Sequence, residues 1–128
     1  MIGLSNVSLN DLRVAQGEAE IVSVQNRFSV GDHEPLVDVC AQEGLAFIPW
    51  FPLRAGAVER ERQLGDVASR LGATPFQVAL AWLLKRSANM LPIPGTSSVG
   101  HLEENLAAAA LELSEHDYLA LGAPRADR

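Results

Sequence analysis

A short turn rich in glycine and hydroxyl side chains, Gly95-Thr96-Ser97-Ser98, separates an apolar run from a helix-like segment. Glycine lets the backbone approach a ligand closely, and hydroxyl and amide donors near a helix N-terminus favour a phosphate group. The same residues could equally form an ordinary turn in which Ser98 caps the helix. A nucleoside-triphosphate P-loop is not expected, because the GxxxxGKS/T pattern and its lysine are absent.

Polar or aromatic side chains also follow three strand-like segments elsewhere in the chain. They are Ser5-Asn6, Gln25-Asn26 and Trp50-Phe51. Hydroxyl and amide side chains donate and accept hydrogen bonds, and an indole ring offers a broad face for stacking on a flat ligand. Taken alone, Asn6 and Gln25 could equally be turn residues, and Trp50 could be a core aromatic.

The sequence contains no evident nucleophile, acid–base pair or metal cluster. The only tyrosine, Tyr118, is predicted on a C-terminal helix, and the only lysine, Lys85, ends an apolar helix. His33 and His116 stand at predicted helix starts and are expected to be surface residues. We therefore predict neither catalytic residues nor metal ligands in this chain.

Length and charge limit the function classes. The 128 residues suit one domain, residues 1–128. A net charge of −6 argues against nucleic acid or an anionic membrane as partner, and no apolar run approaches the ~20 residues that span a bilayer. Met1 is followed directly by Ile2 with no basic segment, which predicts no signal peptide. The single cysteine, Cys40, is expected to be buried, and a cytoplasmic location is predicted.

The elements that position these residues alternate between strand-like and helix-like patterns. Strands are predicted before Asn6 and over residues 20–24, 45–48 and 91–93, and a loop over residues 51–58. Helices are predicted over residues 59–71 and after the caps Ser8, Asp32 or His33, Thr74, Ser98 and Ser114. Phe76 and Trp82 are predicted core residues of the apolar helix. Such alternation predicts an α/β fold with a parallel sheet, where ligands bind at the carboxyl ends of the strands.

Several stretches of the chain, taken in order, resemble the aldo-keto reductase family. They are IGLSNVS, IVSVQNRFS, EGLAFIPWFPL, ATPFQVALAWLL and LPIPGTSSVGHLEENLAAA. Each stretch alone is a weak signal, but the ordered set, from Ile2 to about Gly122, is specific. The resemblance implies an eight-stranded (β/α) barrel that transfers hydride from NADPH to carbonyl groups. The stretches match its second half, so the expected fold is a parallel (β/α)4 half of a TIM (β/α)8 barrel.

The resemblance also implies which residues contact the cofactor. Those implied at the nicotinamide and pyrophosphate are Ser5, Asn6, Gln25, Trp50, Phe51 and Leu53. Those implied at the adenosine end are Gly95, Thr96, Ser97, His101, Glu104 and Asn105. His101 stands where many members have an arginine on the 2′-phosphate, and a partly charged imidazole lacks the arginine's fork. NADP(H) is therefore the expected cofactor, with NAD(H) as the alternative.

The reductase chemistry that this resemblance implies uses a Tyr general acid with Lys, His and Asp, all from the first half of the barrel. A second half alone would carry cofactor motifs without the catalytic acid and would be inactive. Three hypotheses stay open: a C-terminal piece of a reductase, a non-catalytic nucleotide-binding half-barrel that dimerises, or one subunit of a split enzyme. The expected partners are a nicotinamide dinucleotide and either a second copy or a complementary N-terminal half-barrel.

A half-barrel would also leave two strand edges open to pairing with another chain. The side chains expected to divide between the two faces of its sheet are Val22, Val24, Phe47, Ile48 and Ile93. Exposure of several such side chains is costly for a small domain, so a lone monomer is expected to be marginally stable.

Overall fold

The sheet of this protein consists of three parallel strands in the order β1-β2-β3. The computed structural model describes residues 1–52 and 58–122. Its strands are β1 (Ile2–Ser5), β2 (Ile21–Arg27) and β3 (Ala46–Trp50). Ser5 pairs with Gln25, and Arg27 pairs with Trp50, so the carboxyl ends of the strands meet at one edge. The predicted α/β fold with a parallel sheet is confirmed.

Six α-helices lie in the described part of the chain. They are α1 (Leu9–Glu18), α2 (Pro35–Glu43), α3 (Val58–Leu71), α4 (Pro75–Arg86), α5 (Val99–Ala107) and α6 (Glu115–Gly122). A 3-10 turn, Ala108–Ala110, follows α5. The first two helices connect successive strands, as crossovers between parallel strands do. Among these described helices, none is long and apolar enough to cross a bilayer.

Two predicted helix starts are confirmed by reciprocal capping bonds. At α1, the Asp11 N–H donates to Ser8 Oγ and the Ser8 N–H donates to the Asp11 carboxylate. At α4, the Gln77 N–H donates to Thr74 Oγ1 and the Thr74 N–H donates to Gln77 Oε1. Because each box joins residues three positions apart, the local sequence alone is enough to specify it.

The cap of α2 differs from the prediction. Glu34 is the N-cap, and its carboxylate accepts a hydrogen bond from the Leu36 N–H at 3.0 Å. Asp32 lies two positions before the N-cap of α2, and its carboxylate instead accepts hydrogen bonds from the Ser29 N–H and hydroxyl in the preceding turn. The prediction of Asp32 or His33 at this position is therefore wrong.

The strand predicted over residues 91–93 is not formed. Met90 makes an isolated parallel bridge with Phe47, and the Leu91 N–H donates to the Phe47 carbonyl oxygen at 2.9 Å. Pro92 and Pro94 follow, and neither has an N–H to continue the ladder. The fourth strand of the expected (β/α)4 unit is thus reduced to a single point of pairing beside β3.

One face of the sheet is buried against helices. Val24 and Phe47 are fully buried, and the Phe28 ring meets the Phe47 ring edge-on at 5.9 Å. Trp82 of α4 is 3% exposed and confirms its predicted place in the core. Phe76 is 56% exposed, so its prediction as a core residue is wrong. It lies in the first turn of α4, before the buried positions of that helix begin.

The single cysteine belongs to this core. Cys40 of α2 is completely buried, as predicted, and burial raises the pKa of its thiol to about 11. The thiol is therefore protonated at neutral pH, which makes it a poor nucleophile.

The opposite face of the sheet is only partly covered. The strand residues that alternate with the buried ones, Ser23, Gln25, Ile48 and Trp50, are half-buried. Of the side chains expected to divide between the faces, Val24 and Phe47 are on the helix side and Ile48 is on this open face. Ile93 lies outside the sheet and is exposed.

Candidate functional site

Four predicted site residues converge where the three strands end, and we call Ser5, Asn6, Gln25 and Trp50 the carboxyl edge. Ser5 pairs with Gln25 in the ladder, and the Asn6 N–H donates to the Gln25 carbonyl oxygen at 2.9 Å. The Trp50 indole N–H donates to Asn6 Oδ1 at 2.8 Å. Parallel pairing thus brings together side chains that are far apart in the sequence.

The backbone is unusual at this edge. Asn6 and Phe51 have φ angles of 55° and 60°, and they are the non-glycine residues with positive φ in the described ranges. Asparagine tolerates the left-handed region, whereas phenylalanine rarely adopts it. Both residues directly follow a strand, and uncommon backbone conformations of this kind concentrate at functional sites.

Phe51 lies beside the ring of Trp50. The ring centroids are 6.3 Å apart and the planes are inclined by 58°. More than half of the Phe51 side chain is exposed. Leu53, the other residue predicted for this loop, lies outside the described residues.

Asn26 lies at a buried position of β2 and stabilises the start of the segment that follows β1, a role that the sequence did not reveal. It is 7% exposed, its Oδ1 accepts from the Val7 N–H at 3.0 Å, and its Nδ2 donates to the Val7 carbonyl oxygen at 2.8 Å. Nδ2 also contacts Glu34 at 3.3 Å. The sequence did hold a signal for this role. Asn26 is adjacent to Gln25 on β2, so the two side chains point to opposite faces, and an amide on the buried face must be hydrogen-bonded.

Several polar groups of the carboxyl edge are available to a ligand. Within residues 1–52 and 58–122, the Ser5 hydroxyl, the Gln25 amide and Asn6 Nδ2 have no hydrogen-bond partner. These groups lie near the half-buried indole of Trp50, whose ring is flat and apolar. This arrangement suits a planar ring that carries an amide group.

The turn at Gly95–Ser98 is held mainly by its own hydroxyl groups. The Ser98 N–H donates to Thr96 Oγ1 at 3.1 Å, and Ser98 Oγ caps α5 by accepting from the His101 N–H at 3.4 Å. Thr96 and Ser97 are exposed. A Cβ at Gly95 would meet no atom of the described residues within 4 Å, so packing against this part of the chain does not require glycine there.

The remaining predicted residues lie on α5. His101, Glu104 and Asn105 are three and four positions apart, so they share one helical face. The Glu104 carbonyl oxygen accepts from Gln77 Nε2 at 3.0 Å, which ties α5 to α4. His101 is exposed and Asn105 is half-buried. No hydrogen bond between described residues joins this group or the Gly95–Ser98 turn to the carboxyl edge.

Tyr118 and Lys85 contact each other, and no hydrogen bond or ring contact between described residues joins either of them to the carboxyl edge. The Tyr118 ring stacks on Trp82 at 5.5 Å, and Lys85 Nζ lies 5.4 Å from the centroid of the Tyr118 ring. Lys85 also donates to the Leu113 carbonyl oxygen and pairs with Glu115. The lysine contacts the face of the phenol ring, which is a packing arrangement and differs from an acid–base pair.

The described residues hold no group of three or more His, Cys, Asp or Glu side chains that could bind a metal ion.

Comparison with known proteins gives a consistent picture. The sequence model of the Aldo/keto reductase family matches residues 1–123. Pyridoxine 4-dehydrogenase of Escherichia coli K12 is 52% identical over 116 residues, which are 89% of this chain and 41% of the relative. An uncharacterised oxidoreductase of Schizosaccharomyces pombe is 44% identical over 94% of this chain and 40% of its own length. The chain therefore spans about two fifths of these curated relatives.

A solved structure extends the match to three dimensions. The crystal structure of a thermostable aldo-keto reductase in complex with the inhibitor epalrestat superimposes with a TM-score of 0.89 at 33% identity. The superposition covers 94% of this chain and 47% of that chain.

Proposed function

Because the chain belongs to the aldo/keto reductase family, we propose that it forms the nicotinamide dinucleotide site of an oxidoreductase that acts on aldehydes or ketones with NADP(H). The observation that carries this proposal is the convergence of Ser5, Asn6, Gln25 and Trp50 at the carboxyl ends of adjacent parallel strands. Ligands of parallel α/β folds bind at this end of the sheet.

The chemistry of the carboxyl edge fits the nicotinamide end of such a cofactor. A carboxamide has two donor hydrogens and an acceptor oxygen, and the free groups of Ser5, Asn6 and Gln25 can complement both kinds. The Trp50 indole would serve as a stacking platform for the ring. Phe51 and Leu53 would lie along the pyrophosphate. When bound, the nicotinamide supplies the hydride.

The adenosine end is assigned to the second group of residues. Gly95, Thr96 and Ser97 would face the phosphate at the start of α5, where backbone N–H groups and the helix dipole favour an anion. His101, Glu104 and Asn105 share the adjacent helical face. NADP(H) is the proposed cofactor, with NAD(H) as the alternative, because His101 would make a weaker phosphate contact than arginine.

We further propose that residues 1–128 correspond to the second half of a (β/α)8 barrel. The order of the matching motifs supports this, as do the parallel strands with one open face and the coverage of two fifths of the relatives. A complementary first half would then cover the open face and supply the general acid, since neither Tyr118 nor Lys85 contacts the carboxyl edge among the described residues. We expect the chain alone to show no turnover of aldehydes with NADPH.

Self-association is the alternative to capture of a complementary half. Ile2, Leu91 and Ile93 are each about half exposed beside the sheet edges, and such edges favour pairing with another chain. Light scattering over a concentration series tests this, and a monomer that unfolds cooperatively at all concentrations would contradict it. For the whole protein, the name of the 52% identical dehydrogenase makes pyridoxine a candidate substrate in the oxidising direction, the reverse of carbonyl reduction.

Titration of the chain with NADPH and with NADH, followed by tryptophan fluorescence, tests the proposed site. Saturable binding of either dinucleotide supports it. A His101→Arg variant should strengthen NADPH binding relative to NADH, because the guanidinium binds a phosphate in a bidentate manner. Leu106→Arg is the matched control, since Leu106 is exposed on the same helix and acquires the same charge. If both variants change the NADPH preference equally, the assignment of His101 is wrong.

A further inference from the structure

In the part of the chain that the structure describes, one side-chain hydrogen bond joins the ends of the two outer strands of the sheet. The Trp50 indole N–H donates to Asn6 Oδ1 at 2.8 Å across 44 residues of sequence. Because β2 lies between β1 and β3, the two outer strands are about 10 Å apart. The Trp50 side chain therefore extends across the end of β2, and its ring forms part of the surface beside Gln25.

The direction of this bond determines the orientation of the Asn6 amide. An indole nitrogen only donates, so its partner must be the amide oxygen, and Nδ2 is the other end of the same planar group. In the described part of the chain, Nδ2 has no partner. The site therefore presents a hydrogen-bond donor at this point.

The backbone of Asn6 holds the amide in place. Its φ of 55° lies in the left-handed region, and its N–H is bonded to the Gln25 carbonyl oxygen at 2.9 Å. Asparagine is one of the few residues with a side chain that adopt this conformation readily. Both the strand end and the side-chain origin are thus defined before any ligand binds, which favours preorganisation.

Trp50 is constrained from a second side by Phe51, whose ring lies 6.3 Å away and whose backbone also has positive φ. The indole is held at its nitrogen by Asn6 and bordered by an aromatic ring. A half-buried indole without such contacts would sample several rotamers.

We propose that Asn6 is a positioning residue for Trp50: its Oδ1 accepts the indole N–H and so fixes the plane of the ring at the carboxyl edge. The proposal concerns the protein without ligand, so its test is independent of the proposed function.

The positioning role is tested by NMR on the ligand-free chain. The chain has two tryptophans, so it gives two indole N–H signals, and Trp50→Phe identifies the signal of Trp50. Asn6→Gly accepts the positive φ but removes the acceptor, and we expect faster motion and faster hydrogen exchange of the Trp50 indole only. Asn6→Asp retains an acceptor oxygen and should restore the parent behaviour. The Trp82 indole, bonded to the Tyr118 carbonyl oxygen, is the internal reference.

An unchanged Trp50 indole in Asn6→Gly would overturn the positioning role. If Asn6→Gly does not fold, the reciprocal variant decides. Trp50→Phe removes the indole donor, and it should change the chemical shifts and exchange of the Asn6 side-chain amide protons. Amide signals that are identical in Trp50→Phe and the parent would equally overturn the proposal.

Discussion

The contact region between α4 and α6 and the carboxyl edge of the sheet each contain one of the two tryptophans. Trp82 is 3% exposed, its indole N–H donates to the Tyr118 carbonyl oxygen at 3.0 Å, and its ring stacks on the Tyr118 ring. Trp50 is half-buried and bonds to a side chain, Asn6. The first indole is enclosed by the core, whereas the second borders a surface with unpaired polar groups.

The polar groups of the two regions also differ in whether they are paired within the protein. Next to Tyr118 on α6, the buried Asp117 accepts from Arg70 of α3 at 2.6 and 3.3 Å and from the Ser114 hydroxyl at 2.8 Å. At the carboxyl edge, the Ser5 hydroxyl and the Gln25 amide have no partner in the described ranges. Groups that are satisfied within the protein stabilise the fold, and groups left open at a preformed edge are available for recognition.

The largest effect should come from truncating the enclosed indole. We expect Trp82→Ala to lower the free energy of unfolding by about 3–5 kcal/mol, because it removes a buried aromatic and leaves a cavity. Trp50→Ala is the matched control and should cost much less, since its ring is only half-buried. Urea denaturation measures both. Equal losses would show that the two regions do not divide stability and recognition in this way.

Asp117→Asn should lower the free energy of unfolding by a smaller amount, about 1–2 kcal/mol. The substitution removes charge-assisted hydrogen bonds, but the exposed Arg70 stays solvated. The Arg70 and then the Ser114 hydrogen bonds lower the pKa of Asp117 from 3.8 to about 2. A carboxyl with a lowered pKa in the folded state stabilises the fold above its ordinary pKa, and this stabilisation is lost as the pH falls from 3.8 through about 2.

The pH dependence of stability distinguishes the contribution of the Asp117–Arg70 pair from general acid denaturation. Unfolding midpoints measured between neutral and acidic pH should fall less steeply for Asp117→Asn than for the parent chain. Asp38→Asn is the control, because Asp38 forms a more exposed ion pair with Arg86 at 2.8 Å and surface pairs contribute little. A parent and an Asp117→Asn variant with parallel pH profiles would contradict the assignment.

At the carboxyl edge the expected effect is on binding. Trp50→Ala should weaken nicotinamide dinucleotide binding by roughly threefold to tenfold, the value of one aromatic stacking contact. Trp50→Tyr should recover much of the affinity, because a flat ring is retained. Calorimetry is the suitable measurement, since the substitution removes the fluorescent reporter. Affinity equal to that of the parent in Trp50→Ala would show that the cofactor assignment of Trp50 is wrong.

The smallest effect is expected on the open face of the sheet. A Cβ at Gly3 would lie 2.5 Å from Ser23 Oγ, but a serine hydroxyl can rotate away. Gly3→Ala should therefore change the free energy of unfolding by less than about 1 kcal/mol, and the change should vanish in a Ser23→Ala background. A large loss that persists in this background would show that the open face is as tightly packed as the buried one.

Local patterns accounted for much of the fold. The caps at Ser8, Thr74 and Ser114 join residues three positions apart, so a short window of sequence specifies them. The cap of α2 could not be chosen in this way, because Asp32 and Glu34 are both acceptors and the choice depends on the residue at which α2 begins. The prediction of a fourth strand over residues 91–93 was wrong, because it rested on the apolar residues and gave too little weight to the missing N–H groups of Pro92 and Pro94.

The sequence by itself determined the family, the parallel α/β fold and the strand ends at which site residues were sought, since all of these depend on motif order and local periodicity. Only the tertiary structure decided which side chains bond to each other. The Trp50–Asn6 hydrogen bond joins residues 44 positions apart, and the Asn26–Val7 hydrogen bonds join residues 19 positions apart. Such pairs form because strand register brings distant segments to the same edge, and register is a property of the assembled sheet.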